Sequence, residues 1–253
     1  MSLDPRILVI PKRLSGFKCI VLVSSPKGGV GKTTISVVLA LALSQVCNRV
    51  ALLDLDINNP TAHMVLGLDV SNIKVEEDKG ILPIRILNNK LEFMSIALFT
   101  RDKLLPLRGK DATNAIIEIL ATVRWNSIAM VVDTPPGFSD EVMEFARLYP
   151  KAKYLIISTP DILSISSTRR IAEVIRREKQ ALIGIIGNMC RNEQDLGILK
   201  KNASSLGTEV LSCIPWVNNI HRYYGKPKEL INLFKQHLEP IINMLTSDIG
   251  CRS

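Results

Sequence analysis

The stretch that decides the fold of this chain is residues 24–34, which read SSPKGGVGKTT. Residues 18–24 before the loop form a short apolar run, rich in β-branched side chains, which predicts a buried strand. After it, apolar residues recur from Thr33 to Val46 with the spacing of an amphipathic helix. A strand, a glycine-rich loop and a helix in this order predict a phosphate-binding loop.

The residues of this loop suit the chemistry of a bound triphosphate. A triphosphate needs free backbone N–H groups and the positive end of a helix, without side chains in the way. Lys32 would reach the β- and γ-phosphates, and the Thr33 hydroxyl would be a ligand of Mg²⁺. We therefore expect ATP to contact Lys27, Gly28, Gly29, Val30, Gly31, Lys32, Thr33 and Thr34. An ordinary glycine-rich turn is the alternative.

The loop departs from the common phosphate-loop pattern, because Pro26 stands where that pattern has glycine and Lys27 adds a second lysine. The string KGGVGKTT resembles the deviant Walker A ATPases, a group that includes MinD, ParA, the Mrp-type iron-sulfur carriers and the nitrogenase iron protein. The resemblance implies a homodimer that encloses two nucleotides, in which Lys27 crosses the interface to the partner's nucleotide. Lys27 and Lys32 would then both be catalytic. The alternative for Lys27 is a solvated loop lysine.

A second apolar run, residues 50–56, predicts a strand that ends in carboxylates and is followed by a turn. Asp54, Asp56 and Pro60 match the DxDxxxP segment, called switch I, of Mrp-type relatives. The resemblance implies that Asp56 orients or activates the attacking water and that Asp54 lies at the Mg²⁺ site. A polar cap that closes the strand is the alternative.

A third apolar run, residues 128–133, ends in Asp133 and is broken at once by the sequence TPPG. An aspartate in this place can hold Mg²⁺. The string DTPPG resembles the Walker B and switch II segment of the same group, which implies that Gly137 senses the γ-phosphate through its backbone. A strand that ends in a proline-rich turn is the alternative.

Two later segments are candidates for the adenine site. The resemblance to the deviant Walker A ATPases implies two contacts with the base. One is an asparagine after a late strand, and the other is the set of residues around an Ile-Pro pair after the next strand. Asn188, Pro215 and Trp216 occupy these positions here, and ordinary loop sequence is the alternative.

Composition describes a soluble globular protein, with 47% hydrophobic and 22% charged residues among 253. No run of 18 or more apolar residues occurs, so we expect a cytoplasmic protein. The five cysteines include no C-x-x-C pair, and we expect buried thiols. Mrp-type carriers commonly have such a pair after the GNM segment, where this chain offers Cys190 and Cys213.

The net charge of +8 predicts an anionic partner, which could be nucleic acid, acidic lipid or the nucleotide. Basic residues are densest at Arg169, Arg170, Arg176, Arg177 and Lys179. They could bind DNA phosphates, as in partition ATPases, but Glu173 has the spacing for ion pairs within a solvated helix, which we favour. The apolar stripe of residues 228–245 contains Pro240 and few basic residues, so we expect a helix docked on the sheet and no membrane binding.

Apolar strands alternate with helical patterns along the chain, which predicts an α/β fold with a mostly parallel central sheet and helices on both faces. We expect one P-loop ATPase domain over residues 1–253, with a leader segment at 1–17 and a C-terminal docking helix at 227–246. The predicted protein is a Mg²⁺-dependent dimeric switch that hydrolyses ATP to ADP and phosphate. An iron-sulfur carrier, a DNA-partition or positioning ATPase and a non-catalytic nucleotide-binding regulator are the alternatives.

Overall fold

The computed structural model describes residues 4–103 and 106–251. Its strands are β1 (Cys19–Ser24), β2 (Val50–Asp54), β3 (Ile84–Ile86), β4 (Leu91–Ser95), β5 (Ala129–Asp133), β6 (Lys153–Ser158), β7 (Ala181–Cys190) and β8 (Val210–Pro215). Its α-helices are α1 (Pro5–Leu14), α2 (Lys32–Val46), α3 (Ala62–Leu66), α4 (Ala97–Thr100), α5 (Lys110–Thr122), α6 (Asp140–Leu148), α7 (Ile162–Arg177), α8 (Glu193–Ser205) and α9 (Pro227–Ile249). A 3₁₀-helix spans Ile220–Tyr223.

The eight strands form a single sheet in the order β3-β4-β2-β5-β1-β6-β7-β8. All neighbours are parallel except β3, which runs antiparallel to β4 at the edge. Asp133 is the register partner of both Val23 and Asp54, so β1, β2 and β5 end at the same edge. This confirms the predicted α/β fold, and it brings the three sequence motifs together.

Two apolar layers cover the sheet. Helices α2, α3 and α9 pack on one face, and α1, α5, α6 and α7 pack on the other. The strands next to the phosphate loop are buried on both faces, which explains their continuous apolar sequences.

The C-terminal helix α9 passes through Pro240 without ending and is longer than predicted. Its apolar stripe, which includes Leu230, Phe234, Leu238 and Leu245, is buried in the same layer as α2. No helix in residues 4–103 and 106–251 is both long and apolar enough to cross a membrane.

The segment predicted as a leader contains α1. Asp4 caps this helix by accepting a hydrogen bond from the Arg6 N–H at 3.0 Å, and Pro5 occupies a first-turn position that tolerates proline. Ile10 and Leu14 are fully buried in the apolar layer to which α5 also contributes. Residues 5–14 are therefore part of the packed core.

Candidate functional site

The phosphate loop connects β1 to α2, as the sequence predicted. Gly31 precedes α2 with a φ of +82°, a conformation that favours glycine. A Cβ at this position would lie 2.3 Å from Asn188 Nδ2. The same Asn188 nitrogen donates a hydrogen bond to the Val30 carbonyl at 2.7 Å. Asn188 thus holds the loop in shape, a role that the sequence did not indicate.

Lys32 and Asp133 form a buried ion pair at the base of the loop. Lys32 Nζ lies 2.6 Å from Asp133 Oδ1, and the Ser36 hydroxyl donates to the same oxygen at 2.8 Å. The second oxygen, Asp133 Oδ2, is buried and has no hydrogen-bond partner among the described residues. A buried carboxylate oxygen with a free lone pair is a suitable ligand for Mg²⁺. The Thr33 hydroxyl, the other predicted ligand nearby, lies 3.5 Å from Lys32 Nζ.

Asp54 lies on β2 beside Asp133, but both of its oxygens already accept hydrogen bonds. Oδ1 accepts from the Asp56 N–H at 3.2 Å, and Oδ2 accepts from the Ala62 N–H at 3.1 Å. Burial, together with the charge of Asp133, raises the pKa of Asp54 to about 8. The Asp54 carboxylate therefore holds the loop that follows β2 at two points, Asp56 and Ala62, in this structure.

Asp56 is only partly buried and follows the end of β2. Its Oδ1 accepts a hydrogen bond from the Asn59 N–H at 3.2 Å. Burial raises the pKa of Asp56, and the Lys32 charge opposes this effect. The position at the same sheet edge as Lys32 and Asp133 suits the predicted role toward a water molecule.

Lys27 is held by a residue that the sequence analysis did not single out. Its Nζ donates to both oxygens of Asp161, at 2.9 and 3.0 Å. Asp161 also caps α7 through the Ser164 N–H and accepts from the Thr159 hydroxyl at 2.6 Å. Burial alone would raise the pKa of Asp161, but the hydrogen bonds from Thr159 and Lys27 outweigh it and lower the pKa to about 2. The only sequence signal was an aspartate three residues after the end of β6, at the sheet edge where ligands bind.

Gly137 of switch II has a φ of +81° and lies beside the phosphate loop. Its N–H donates to the Ser25 carbonyl at 2.8 Å. A phosphate could accept from this N–H only after that hydrogen bond breaks. Thr134, three residues earlier, donates through its hydroxyl to the Val23 carbonyl at 2.9 Å, which fastens the start of switch II to β1.

The predicted adenine residues line one cavity of about 270 Å³ beside the loop. Gly31 and Thr34 form one wall, and Asn188, Pro215 and Trp216 come from the ends of β7 and β8. The Thr34 hydroxyl lies 3.0 Å from the Tyr224 hydroxyl. The cavity thus joins the loop to the two late segments that the sequence singled out.

The expectation that the cysteines are buried thiols is wrong for four of the five. Cys190 pairs with Cys213 and Cys47 pairs with Cys251 in disulfides, and Cys19 is buried and free. Cys190 and Cys213 meet because β7 and β8 are adjacent parallel strands. Their separation of 23 residues in the sequence gave no sign of this contact. Across the described ranges, no group of three or more His, Cys, Asp or Glu side chains could hold a metal ion.

The favoured ion pairs around Glu173 do not form among the described residues. The ion pair present at the end of α7 joins Arg177 to Glu178 at 3.4 Å, and Arg176 donates to the Leu206 carbonyl instead. Arg169 and Arg170 are exposed. The surface of α7 therefore carries more unpaired positive charge than the spacing of Glu173 from the arginines predicted.

The fold and the loop define a class, the P-loop NTPases. The family described as "ParA: NUBPL iron-transfer P-loop NTPase" matches residues 16–246, and the chain belongs to it, as the resemblance predicted. An iron-sulfur cluster carrier protein of Pseudomonas fragi is 32% identical over 229 residues, which cover 85% of this chain and 79% of that protein. A cytosolic Fe-S cluster assembly factor Nubp2 homolog of Drosophila pseudoobscura pseudoobscura is 37% identical over 183 residues, 70% of each chain.

Solved structures support the same fold. A nucleotide-binding protein from Archaeoglobus fulgidus, in complex with ADP, has a TM-score of 0.74 at 23% identity and covers 88% of this chain and 92% of its own. The MinD cell division protein of Aquifex aeolicus has a TM-score of 0.65 at 19% identity and covers 90% of this chain and 97% of its own.

Proposed function

We propose that this protein is a Mg²⁺-dependent ATPase of the iron-sulfur cluster carrier type, in which the nucleotide cycle controls handling of a cluster. The observation that carries the ATPase part is the buried Lys32–Asp133 pair, in which Asp133 Oδ2 has no hydrogen-bond partner among the described residues. The carrier part is supported by the names of the relatives from Pseudomonas fragi and Drosophila. The Drosophila name also supports a cytosolic location.

The chain's own residues account for the binding of the nucleotide. The N–H groups of residues 28–32 and the N-terminus of α2 attract the phosphates, and Lys32 exchanges Asp133 for the β- and γ-phosphates. Asn188, Pro215 and Trp216 enclose the base in the cavity beside Gly31. Thr33 and Asp133 would hold Mg²⁺, which neutralises phosphate charge when it is bound.

Hydrolysis then requires a positioned water and further positive charge. Asp56 orients the water from the sheet edge that carries Lys32. Lys27 leaves Asp161 and contacts the γ-phosphate of the partner chain in a homodimer. A half-exposed ion pair such as Lys27–Asp161 is weak enough to exchange in this way.

Phosphate release with Mg²⁺-ATP tests the ATPase part. We expect turnover in the wild-type protein and loss of both nucleotide binding and turnover in Lys32→Ala. Lys235→Ala, which removes an exposed lysine from α9, is the matched control and should retain both. A wild-type protein that binds ATP without turnover would instead identify a non-catalytic regulator.

Cluster handling needs a separate test. Iron-sulfur clusters are held by cysteine thiolates, and reduction of the Cys190–Cys213 disulfide would supply two from each chain. Anaerobic reconstitution with iron and sulfide, followed by absorbance and iron analysis, should load the reduced wild-type protein. Cys190→Ser/Cys213→Ser should lose the cluster and Cys19→Ser should keep it. A wild-type protein without cluster would reject the carrier part and leave the ATPase part intact.

A DNA client is the second candidate, favoured by the exposed arginines of α7, which form no ion pair with Glu173 in the part of the chain that the structure describes. Binding to duplex DNA should require Mg²⁺-ATP and weaken steeply as salt increases, because phosphate contacts release counterions. Arg169→Glu/Arg170→Glu should abolish it. Binding that is insensitive to both salt and these changes would exclude this client.

A further inference from the structure

Apart from the nucleotide site, a cavity of about 410 Å³ lies between α5, α6 and the end of α7. Its apolar wall includes Phe138, which follows Gly137 in switch II, and Met143 and Ala146 of α6. Small-molecule sites have volumes of about 300–1,000 Å³ and are mostly apolar with a few placed polar groups. The size and wall of this cavity therefore suit a small ligand.

Two polar atoms in the wall lack partners. Tyr154 is fully buried, and its hydroxyl has no hydrogen-bond partner among the described residues. Gln180 Oε1 is also buried without a partner among the residues that the structure describes. Burial, with a smaller effect of the Glu178 charge, raises the pKa of Tyr154, so its hydroxyl is a neutral donor. The cavity thus offers a donor and an acceptor to whatever enters it.

The cavity is acidic although the protein is basic. Asp140, Glu144 and Glu178 line it, against the single cation Arg147. Arg147 is already paired with Glu144 at 2.5 Å. Asp140 has no ion pair among the described residues. Glu178 pairs with Arg177 at 3.4 Å, but this exposed pair is weak, so the lining still favours a positive charge.

We propose that this cavity binds a small organic cation, an ammonium or guanidinium compound that also carries a carbonyl or hydroxyl oxygen. Its charge would face Asp140 and Glu178, and its oxygen would accept from Tyr154. An N–H group would donate to Gln180 Oε1. The ring of Phe138, stacked on the buried ring of Tyr154 with centroids 5.9 Å apart, gives its apolar part a flat wall.

Titration of Nα-acetylargininamide into the full-length protein, followed by NMR or calorimetry, tests the proposal. Nα-acetylcitrullinamide is the control probe, because it has the same shape with a neutral urea group in place of guanidinium. We expect saturable binding of the cation and at least about tenfold weaker binding of the neutral probe, since a hydrogen bond to a charged group is worth more than a neutral one.

Variants assign the binding to this cavity. Glu178→Gln should weaken the cationic probe about tenfold. Glu173→Gln, the same change at an exposed site on α7 outside the cavity wall, should not weaken it. Tyr154→Phe should fold normally, because its hydroxyl has no hydrogen-bond partner within residues 4–103 and 106–251, and it should also weaken binding.

Three results would overturn the proposal. Absence of saturable binding would mean that water alone fills the cavity. Equal affinity for the two probes would remove the role of charge. Equal effects of Glu178→Gln and Glu173→Gln would place the probe elsewhere on the surface.

Discussion

At the scale of single residues, the two loop lysines are held by carboxylates in different environments. Lys32 is buried against Asp133, whereas the side chains of Lys27 and Asp161 are 41% and 43% exposed. An exposed ion pair contributes at most about 1 kcal/mol, so Lys27 can change partners at little cost. Lys32 can leave only when another cation compensates Asp133.

We expect Lys27→Ala to retain ATP binding and to lose turnover by roughly 10³-fold or more, because a cation that acts across an interface is worth about 10³ to 10⁵ in rate. Nucleotide affinity and steady-state phosphate release measure the two effects separately. Lys235→Ala is again the control. Undiminished turnover in Lys27→Ala would contradict the two-lysine mechanism.

Asp161→Asn isolates the charge of the Lys27 partner, since asparagine caps a helix about as well as aspartate. The pKa of Asp161 in the folded chain, about 2, lies below the ordinary 3.8, so the charged carboxylate stabilises the fold above about pH 4. Near neutral pH, we expect the free energy of unfolding of the wild type to exceed that of Asp161→Asn by at most about 1 kcal/mol. The difference should close as the pH falls toward 2.

Urea unfolding of both proteins across this pH range measures the difference. Asp69→Asn gives the same substitution at a carboxylate away from Lys27; because hydrogen bonds from Ser71 and Asn72 lower the pKa of Asp69, its stability difference should also close in acid. If the difference in free energy of unfolding between the wild type and Asp161→Asn increases in acid, the assigned role of the carboxylate is contradicted.

At the scale of elements, the sequence predicted the strands that build the site and missed elements that depend on tertiary contacts. Continuous apolar runs identified β1, β2 and β5, because these strands are buried on both faces. The short strand β3 is only partly buried and is held by pairing with β4, so it has no strong local pattern. Asp161 was missed because its partner, Lys27, lies 134 residues away.

The Cys47–Cys251 disulfide joins the end of α2 to the residue after Gly250, which ends α9. It closes a loop of 204 residues, and a disulfide of this kind constrains the unfolded chain. We expect Cys251→Ser to lower the free energy of unfolding by about 2–4 kcal/mol in the absence of reductant. Urea unfolding with and without reductant measures the effect.

The same experiment contains its own control. In reductant, the wild type and Cys251→Ser should have nearly equal stability, because neither then has the cross-link. Equal stability already without reductant would show that the disulfide does not stabilise the fold.

At the scale of the whole molecule, the surface around Lys27 carries several exposed apolar side chains. A cavity of about 450 Å³ is lined by Lys27, Asp161 and Trp216 together with the loop glycines. Trp216 is 58% exposed, and Ile162 and Leu163, which follow Asp161, are 81% and 69% exposed. Exposed apolar groups that surround a functional site mark an interaction surface. This surface supports the proposed homodimer.

We expect the protein to dimerise with Mg²⁺ and a non-hydrolysable ATP analogue and to remain monomeric with ADP. Leu163→Glu should prevent dimerisation, because it places a charge in the apolar interface. Ile198→Glu, at another exposed apolar residue on α8, is the matched control. Analytical ultracentrifugation distinguishes the states, and a Leu163→Glu protein that still dimerises would exclude this surface.

Under the proposed function, we expect the buried pair of Lys32 and Asp133 to make binding of the metal and binding of the nucleotide depend on each other. A nucleotide that draws Lys32 away leaves Asp133 as an isolated charge in the interior, which is strongly unfavourable. A divalent ion that arrives alone would be repelled by the positive charge of Lys32, which lies on the other oxygen of Asp133. Each ligand would therefore favour binding of the other, and we expect the protein to bind the complex of metal and nucleotide more tightly than either one alone.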